Sequence, residues 1–326
     1  MSQQKALFST GIDGEWVIRE KDIPKPGPGQ LLEAGGHPEL ACAIVGSDAA
    51  GTVEEVGSDV SGFAKGDRVF FQGNYTHNEA TFQQYTLQPA EITAKIPSTL
   101  SFDEAASIPS GAGAAFDGLY GDRKGSSVKQ LTAPWEDGGI DFYKGKPILV
   151  FGGSSSVGQY VIQFAKLSGF SPIIATASMH NADPLKAIGA THVVDRKSDI
   201  ATEVKKITSE PIDFVFDTIS EGGTQDQAWE ILAPGGTLIL TLRPTVDKEK
   251  YTDKHLLHLF AAFHYDKPLG ITFAKFLPKL LEEGLIKPNR VEVLPGGLSS
   301  VEAGLKRLQE NKVSGYKLIV HPTDTP

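Results

Sequence analysis

The sequence predicts an α/β protein built in two parts: a mostly antiparallel β region, and a doubly wound parallel sheet with helices on both faces. Length is the first observation, since 326 residues exceed what one core of ordinary size organises and point to about two domains. The second is a change of style along the chain. Before about residue 119 short apolar runs are broken by Gly and Pro, whereas from Lys146 apolar runs alternate with helical patterns. The third is the stretch Pro147-Ile148-Leu149-Val150-Phe151-Gly152-Gly153-Ser154-Ser155-Ser156-Val157-Gly158. It reads as a short buried strand, a tight turn of small residues and the start of a helix.

In the first part, residues 43–46, 51–57, 67–71 and 83–87 read as strands, and Asp103 to Ala106 opens a helix. Residues 121–145 are polar and Gly-rich, the pattern of a long surface connection. In the second part strands are expected at 148–151, 172–176, 192–194, 213–216 and 237–242, with helices at about 157–168, 183–188, 200–207 and 224–232. That rhythm implies right-handed βαβ units and a covered parallel sheet. Residues 257–263 are expected to add a further strand, 271–283 and 299–310 are amphipathic helical patterns, and 317–320 is a terminal strand returning to the first part. The expected domains are therefore residues 1–119 with 268–326, rich in β-structure, and residues 120–267, carrying the parallel sheet.

Hydrophobic residues make up 40% of the chain and charged residues 22%, with a formal net charge of −9. That composition is ordinary for a globular protein and argues against nucleic-acid or anionic-membrane partners. With Cys42 as its one cysteine, the chain forms no internal disulfide and no thiolate zinc cluster. Residues 1–8 contain no apolar run of signal-peptide length, and no stretch approaches the ~20 apolar residues of a membrane span. A cytoplasmic location is the expectation.

A helix start leaves backbone N–H groups unpaired and carries partial positive charge, which suits a phosphate. Small residues let the phosphate approach those amides. Read as G-x-G-x-x-G, Gly153 and Gly158 take the outer positions and Ser155 the middle one. Gly153, Ser154, Ser155, Ser156, Val157 and Gly158 are the expected cradle, in which Ser155 keeps the turn small and adds a hydroxyl donor. The alternative is a structural Gly-rich turn.

Gly46-Ser47-Asp48-Ala49-Ala50-Gly51-Thr52-Val53, followed by Val56-Gly57 and Gly66-Asp67-Arg68-Val69, resembles the medium-chain dehydrogenase/reductases. So do Ala105-Ala106-Ser107-Ile108-Pro109 and Gly315-Tyr316-Lys317-Leu318. The turn at 152–158 is most similar to the zinc-independent quinone-oxidoreductase-like and fungal trans-acting enoyl-reductase branch. The resemblance implies a split GroES-like substrate domain, a Rossmann cofactor domain and an active site in the cleft between them. Zinc alcohol dehydrogenases of this superfamily carry a His and an acid after the glycine that Gly46 matches; here Ser47 and Asp48 stand there. Cys42, His37 and Asp48 are close in sequence but lack the family's ligand spacing, and catalytic zinc needs three protein ligands. No metal is expected.

Readers of NAD place an acid about 20 residues after the glycines, on the ribose 2′-hydroxyl. Here the second strand runs into Ser178-Met179-His180-Asn181, and no acid appears before Asp183. Ser178, His180 and Asn181 are within reach of a 2′-phosphate instead. By resemblance the end of the third strand supplies a Tyr or a base, and Arg196, in Asp195-Arg196-Lys197, takes that place. A guanidinium suits a dianionic phosphate, so NADPH is expected over NADH, the other reading being a solvated basic pair. Ligands sit beyond the carboxyl ends of parallel strands. That adds Ile219, Leu242 and Phe263, after the fourth, fifth and sixth strands; Leu242 and Phe263 read equally as packing residues. Lys317 matches a position near the pyrophosphate in relatives.

Without zinc, the resemblance implies conjugate reduction of an enone or alkenal. Hydride goes from NADPH to the β-carbon of an α,β-unsaturated carbonyl compound, and the enolate is then protonated. Tyr75 and His264 are the candidate proton donors, each with a packing alternative. Quinone reduction by the same fold, or NADPH binding with little turnover, are the other readings. The last follows from the interval between Gln30 and Gly46, shorter than in relatives by roughly two strands plus a loop, so the substrate domain reads as shortened. Ala114 stands where relatives often have Thr, and Asp117 takes an apolar helix position where a buried carboxylate needs a partner. A homodimer through the last strand of the cofactor domain, near 257–263, is expected by resemblance.

Overall fold

The structure is a computed structural model that describes residues 2–10, 14–33, 43–122, 128, 130–247 and 253–326. The chain divides into two compact units, Met1–Ser110 with Ala262–Gly284 and Pro288–Pro326, and Gly111–Ala261 with Leu285–Lys287.

The first unit begins with nine short strands: β1 (Gln3–Ser9), β2 (Trp16–Asp22), β3 (Gln30–Glu33), β4 (Ala43–Ile44), β5 (Asp48–Thr52), β6 (Glu55–Val56), β7 (Arg68–Gln72), β8 (Thr86–Pro89) and β9 (Ala94–Lys95). They form three antiparallel sheets in the orders β2-β1-β4, β6-β3-β8 and β5-β7-β9. Gly and Pro between the apolar runs keep the strands short. Val69, Phe70 and Phe71 of β7 are all buried, because both faces of that strand are covered. The expected strand at 51–57 is two pieces, β5 and β6, and the run at 83–87 becomes β8 only from Thr86. Helix α1 (Phe102–Ala106) opens on a reciprocal capping box between Ser101 and Glu104. Helix α2 (Pro109–Tyr120) follows and from Gly111 belongs to the second unit, with Pro109 at a position where a missing N–H costs nothing.

The second unit holds β10 (Ile148–Phe151), α3 (Ser156–Leu167), β11 (Ile173–Ala177), α4 (Ala182–Ile188), β12 (His192–Asp195), α5 (Ile200–Ile207), β13 (Phe214–Asp217), α6 (Thr224–Ile231), β14 (Thr237–Leu240) and β15 (His255–His258). Its six strands pair in parallel in the order β12-β11-β10-β13-β14-β15. The order reverses between β10 and β13, the doubly wound arrangement. All four residues of β10 and all five of β11 are buried, as helices on both faces require. Leu149, Val215, Leu238, Val204, Trp229 and Leu232 belong to one apolar core. The last segments of the first unit are α7 (Lys267–Glu282), β16 (Val291–Val293), α8 (Val301–Gln309) and β17 (Lys317–Ile319), the two strands pairing in parallel.

Two expectations change. The sixth strand is not 257–263 but His255–His258, in register with Thr237 to Leu240 of β14. Pairing ends where β14 ends, so Phe263 and His264 lie in the turn before α7 rather than at a strand end. The connection at 121–145 is not wholly superficial either. Val128, Leu131 and Ala133 are buried, and Trp135 stacks on Phe116 at 4.6 Å with an interplanar angle of 8°. Tyr143 stacks in the same way on Phe170, at 4.7 Å. A few apolar anchors in a polar, Gly-rich run are enough to pin it, and averaged composition hides them. Among the described residues no helix is long and apolar enough to cross a membrane.

The Trp135 anchor is testable. Truncating Trp135→Ala removes a stacked ring and leaves a cavity, so unfolding by denaturant should lose about 3 kcal/mol. A loss below about 0.5 kcal/mol, the range of ordinary surface substitutions, would restore the reading as a surface connection.

Candidate functional site

The turn after β10 is shaped by close backbone approach. Gly152 has φ of +72°, and a Cβ there would come within 2.5 Å of Ile219. A Cβ on Gly158 would sit 2.3 Å from the carbonyl oxygen of Gly152, so only glycine lets α3 start this close to the strand. Ser155 caps α3: its Oγ accepts the N–H of Gly158 at 2.9 Å. Its hydroxyl also meets Thr218 Oγ1 at 2.8 Å, while Thr218 Oγ1 lies 2.7 Å from the Phe151 carbonyl and 3.0 Å from that of Gly152. Thr218 has a single hydrogen, which goes to those carbonyls, so Ser155 donates to Thr218. The hydroxyl expected to be a free donor therefore locks the turn to the end of β13. Further backbone donors remain: the N–H groups of Ser154 and Val157 bond no described residue.

A buried carboxylate braces the opposite side of the turn. Asp217 Oδ1 accepts the N–H groups of Ile219 and Ser220 at 3.0 and 2.8 Å, and Oδ2 accepts the Thr224 hydroxyl at 2.6 Å. Burial pushes its carboxyl above the usual carboxylate range, partly offset by those donors. The sequence reading passed over Asp217 and Ser220. Ser220 holds a φ of +54°, and an acid three residues before the Ser of a Ser-x-Gly-Gly run was the available signal. Ile219 is 37% exposed beside this brace, and Leu242, two residues past β14, is 48% exposed.

Parallel pairing brings Ser178 and Arg196 together. Ala177 is in register with Asp195, and the Arg196 N–H donates to the Ala177 carbonyl at 3.0 Å. The turn that presents Arg196 and Lys197 is held by Asp195, whose Oδ1 accepts the Lys197 N–H at 3.0 Å. Both basic side chains are exposed and neither pairs with a carboxylate among the described residues. Asn181 is buried with its Nδ2 3.2 Å from His180 Nε2, and His180 is exposed.

The remaining candidates, Tyr75, His264, Phe263 and Lys317, belong to the other unit. Lys317 Nζ forms an ion pair with Asp48, whose other oxygen accepts the Ser110 N–H at the start of α2. Its charge is thus neutralised by an acid of β5. Ser47 Oγ lies 3.0 Å from Ser110 Oγ. Cys42 and His37 lie outside the described residues, and among the described residues no group of three His, Cys, Asp or Glu is arranged to hold a metal. Phe263 is a packing residue here: its ring is 1% exposed and 4.7 Å from Phe273, and its N–H donates to Gln72 Oε1 at 3.0 Å.

Gln72 holds the backbone beside His264 by accepting the Phe263 N–H, and Tyr75 lies in the loop that leaves β7, its N–H donating to Asn74 Oδ1 at 2.8 Å. Glu79 shapes that loop by accepting from Asn74 Nδ2 at 2.9 Å and the Thr76 hydroxyl at 2.8 Å. Tyr75 is 56% exposed. His264 has a buried Nε2 without a hydrogen-bond partner. Burial lowers its pKa below the ordinary 6.5, against an opposing pull from Glu79 and with a smaller push from Lys267. A neutral imidazole carries no ready proton at neutral pH, which makes His264 the weaker acid candidate.

A glycine-tight turn at the reversal point of a six-stranded parallel sheet, in one chain with antiparallel β sheets, defines the class of protein by its architecture: a doubly wound fold of the dinucleotide-binding type. The Zinc-binding dehydrogenase family matches residues 156–257, and the Alcohol dehydrogenase GroES-like domain family matches residues 16–98. Trans-enoyl reductase ACTTS2 of Alternaria alternata is 33% identical, with 90% of this chain and 87% of that protein covered. Trans-enoyl reductase RAP2 of Pyricularia oryzae is 30% identical with 98% of both covered. That second alignment spans 360 positions against 326 residues here, so it opens gaps in this sequence. A quinone oxidoreductase from Pseudomonas syringae shares the fold, at 20% identity, with a TM-score of 0.78 over 97% of this chain and 99% of that one. The chain belongs to the medium-chain dehydrogenase/reductase superfamily.

Two outcomes check this geometry. Substituting Gly158→Ala forces the helix start off the Gly152 carbonyl, at a cost of 1–3 kcal/mol or about that size, read as a lower denaturation midpoint. For His264 the depressed native pKa means stability held above pH 6.5 and lost as pH falls below it. His264→Leu should therefore lose less melting temperature than the parent between pH 7 and pH 5 (about the span of its titration). An unchanged slope counts against the burial assigned to the ring.

Proposed function

We propose that this chain is an NADPH-dependent reductase of the activated C=C bond in α,β-unsaturated carbonyl compounds. One observation carries the cofactor reading. Among the described residues, the N–H groups of Ser154 and Val157 in the turn at the reversal point have no partner, and the strands beside it lead into Ser178 and two cations without a carboxylate partner, Arg196 and Lys197. A phosphate suits the first set and a 2′-phosphate the second. The carboxylate that a free ribose 2′-hydroxyl would need is not found among the residues after β11 until Asp183. The substrate reading is supported by the relatives named trans-enoyl reductase.

In this reading Gly153 and Gly158 keep the cradle open, Ser155 and Thr218 hold its shape, and Ser154, Ser156 and Val157 face the phosphates. Ser178, His180, Asn181 and Arg196 recognise the 2′-phosphate end, and Ile219 and Leu242 give apolar surface beyond β13 and β14. Phe263 supports from the core, and Lys317 acts through Asp48 by fixing the start of α2. NADPH, when bound, supplies the hydride. Tyr75 holds a proton on its phenol oxygen for the enolate oxygen, and His264 gives a neutral imidazole to the wall of the same loop. Zinc takes no part. The chain forms a homodimer through β15, the edge strand of its sheet.

Replacing Arg196→Ala removes a charge-assisted contact of about 1.5–3 kcal/mol. The dissociation constant for NADPH should rise roughly 10- to 100-fold, with NADH binding changed less than about twofold. Equal weakening of both cofactors overturns the assignment. Oxidation of NADPH by 2-alkenals and enones but not naphthoquinones supports the C=C reading, and the reverse selects quinone reduction. A melting shift with NADPH and no oxidation by any acceptor identifies a cofactor-holding protein with little turnover.

A further inference from the structure

Gln225, the second residue of α6, is 2% exposed and uses both hydrogens and the oxygen of its amide. Its Nε2 donates to the Ser220 carbonyl at 2.6 Å and to the Arg243 carbonyl at 3.0 Å, and its Oε1 accepts the Thr245 N–H at 2.8 Å. Only an amide fits this set. Two carbonyls need two donors and the N–H needs an acceptor, so a carboxylate would face two oxygens and an ammonium would face a donor. One buried side chain thereby joins the turn after β13 to the segment after β14.

Its bonds fall on the chain neighbours of two exposed apolar residues. Asp217 and Leu240 are in register, and Ile219 and Leu242 each stand two residues past that pair. Ile219 lies between Thr218, whose hydroxyl meets the Phe151 and Gly152 carbonyls, and Ser220, held at its N–H by Asp217 and at its carbonyl by Gln225. Leu242 lies between Thr241, whose N–H donates to Ser220 Oγ at 3.0 Å, and Arg243, held by Gln225. Val246, buried in the core of the sheet, ends the segment. A rigid backbone under apolar side chains that stay exposed serves a surface kept in shape for a ligand. Sheet order says which end of a dinucleotide meets it. Ser178 and Arg196 follow β11 and β12 on one side of β10, whereas Ile219 and Leu242 follow β13 and β14 on the other. With the 2′-phosphate at the first pair and the other phosphates at the turn between, the reacting ring falls to the second pair.

We propose that Gln225 is a positioning residue for the reacting ring of bound NADPH. It fixes the backbone of Ile219 and Leu242, and so the surface on which the ring rests, without touching the cofactor itself. This role rests on the NADPH reading above, and not on which acceptor is reduced.

The test compares Gln225→Met, which keeps the length of the side chain and removes all three bonds, with Gln225→Glu, which keeps an acceptor and loses both donors. With NADPH and hex-2-enal, Gln225→Met should lower kcat about 10- to 100-fold, the size of effect a misplaced reacting group has. KM for NADPH should rise less than about threefold, because the phosphates are bound elsewhere. Gln225→Glu should behave alike at about pH 8. At about pH 6 its carboxyl, raised by burial against two carbonyls, regains a proton to donate, and kcat relative to the parent should recover at least about threefold. Gln225→Met has no such recovery. A residue that only stabilises the fold would lower the melting temperature without the split between kcat and KM and without the recovery. Amide hydrogen exchange of residues 241–247 gives a readout without turnover: NADPH should slow it in the parent and not in Gln225→Met. An inactive parent that shows this protection overturns the reductase reading and supports the role of Gln225. An active parent whose kcat is unchanged by Gln225→Met overturns that role and leaves the reductase reading standing. Protection equal in the two chains, or absent from the parent, overturns it too. Where Gln225→Met fails to fold, the pH profile of Gln225→Glu decides alone.

Discussion

The hydrogen-bonded bridge from Ser155 through Thr218 to the Phe151 and Gly152 carbonyls is the constraint on which the parallel-sheet unit depends. It spans β10 and β13, the adjacent strands from which the sheet winds in opposite directions. Helices run away from this point on both faces, so the carboxyl ends of the two strands leave a crevice with no helix over it. The bridge adds to the tight packing of the turn: one threonine hydroxyl ties it to the next strand, and one serine hydroxyl both caps α3 and closes on the threonine. Gly152 and Gly158 make the bridge possible by letting backbone approach backbone at distances a Cβ forbids.

Pairing decides what each cation of this chain can do. Lys317 sits against Asp48 in a largely enclosed ion pair, and removing either partner would strand a charge. It is a fastener of its unit. Arg196 and Lys197 have a backbone turn built for them by Asp195, which uses its carboxylate on an N–H and not on either cation. Neither pairs with a carboxylate among the described residues. The same residue class gives a fastener where a carboxylate stands opposite, and a cation without a carboxylate partner among the described residues where none does.

Much of the architecture was legible in the sequence because its signals are local. Continuous apolar runs such as Ile148 to Phe151 are long enough for a strand and too short for a helix, and their alternation with helical patterns has one common solution. The Gly-rich turn was legible for a like reason, since strand, glycines and helix follow one another without interruption. The motifs at Gly46 to Val53 and at Gly66 to Val69 placed the chain in its superfamily. Errors fell where a residue's role depends on something far along the chain. The sixth strand ends where β14 stops offering partners. Trp135 is an anchor because Phe116 is there to receive it. Phe263 is core because Phe273 and Gln72 enclose it.

The sequence by itself determined the class of fold, the order of its strands and helices, the glycine-tight turn, and the lack of an acid after the second strand of the sheet. Those are properties of composition and spacing over a few residues, and short-range sterics convert them directly into structure. Only the tertiary structure decided the use of each polar group. It turned the Ser155 hydroxyl from a ligand donor into a lock, neutralised Lys317 on an acid 269 positions away, left Arg196 without a carboxylate partner among the described residues, and buried His264 so that its pKa falls. The physical reason is that charge and hydrogen-bonding capacity belong to pairs. In the turn read from the sequence as a phosphate cradle, the N–H groups of Ser154 and Val157 bond no described residue, and its serine is the piece that holds the turn in place.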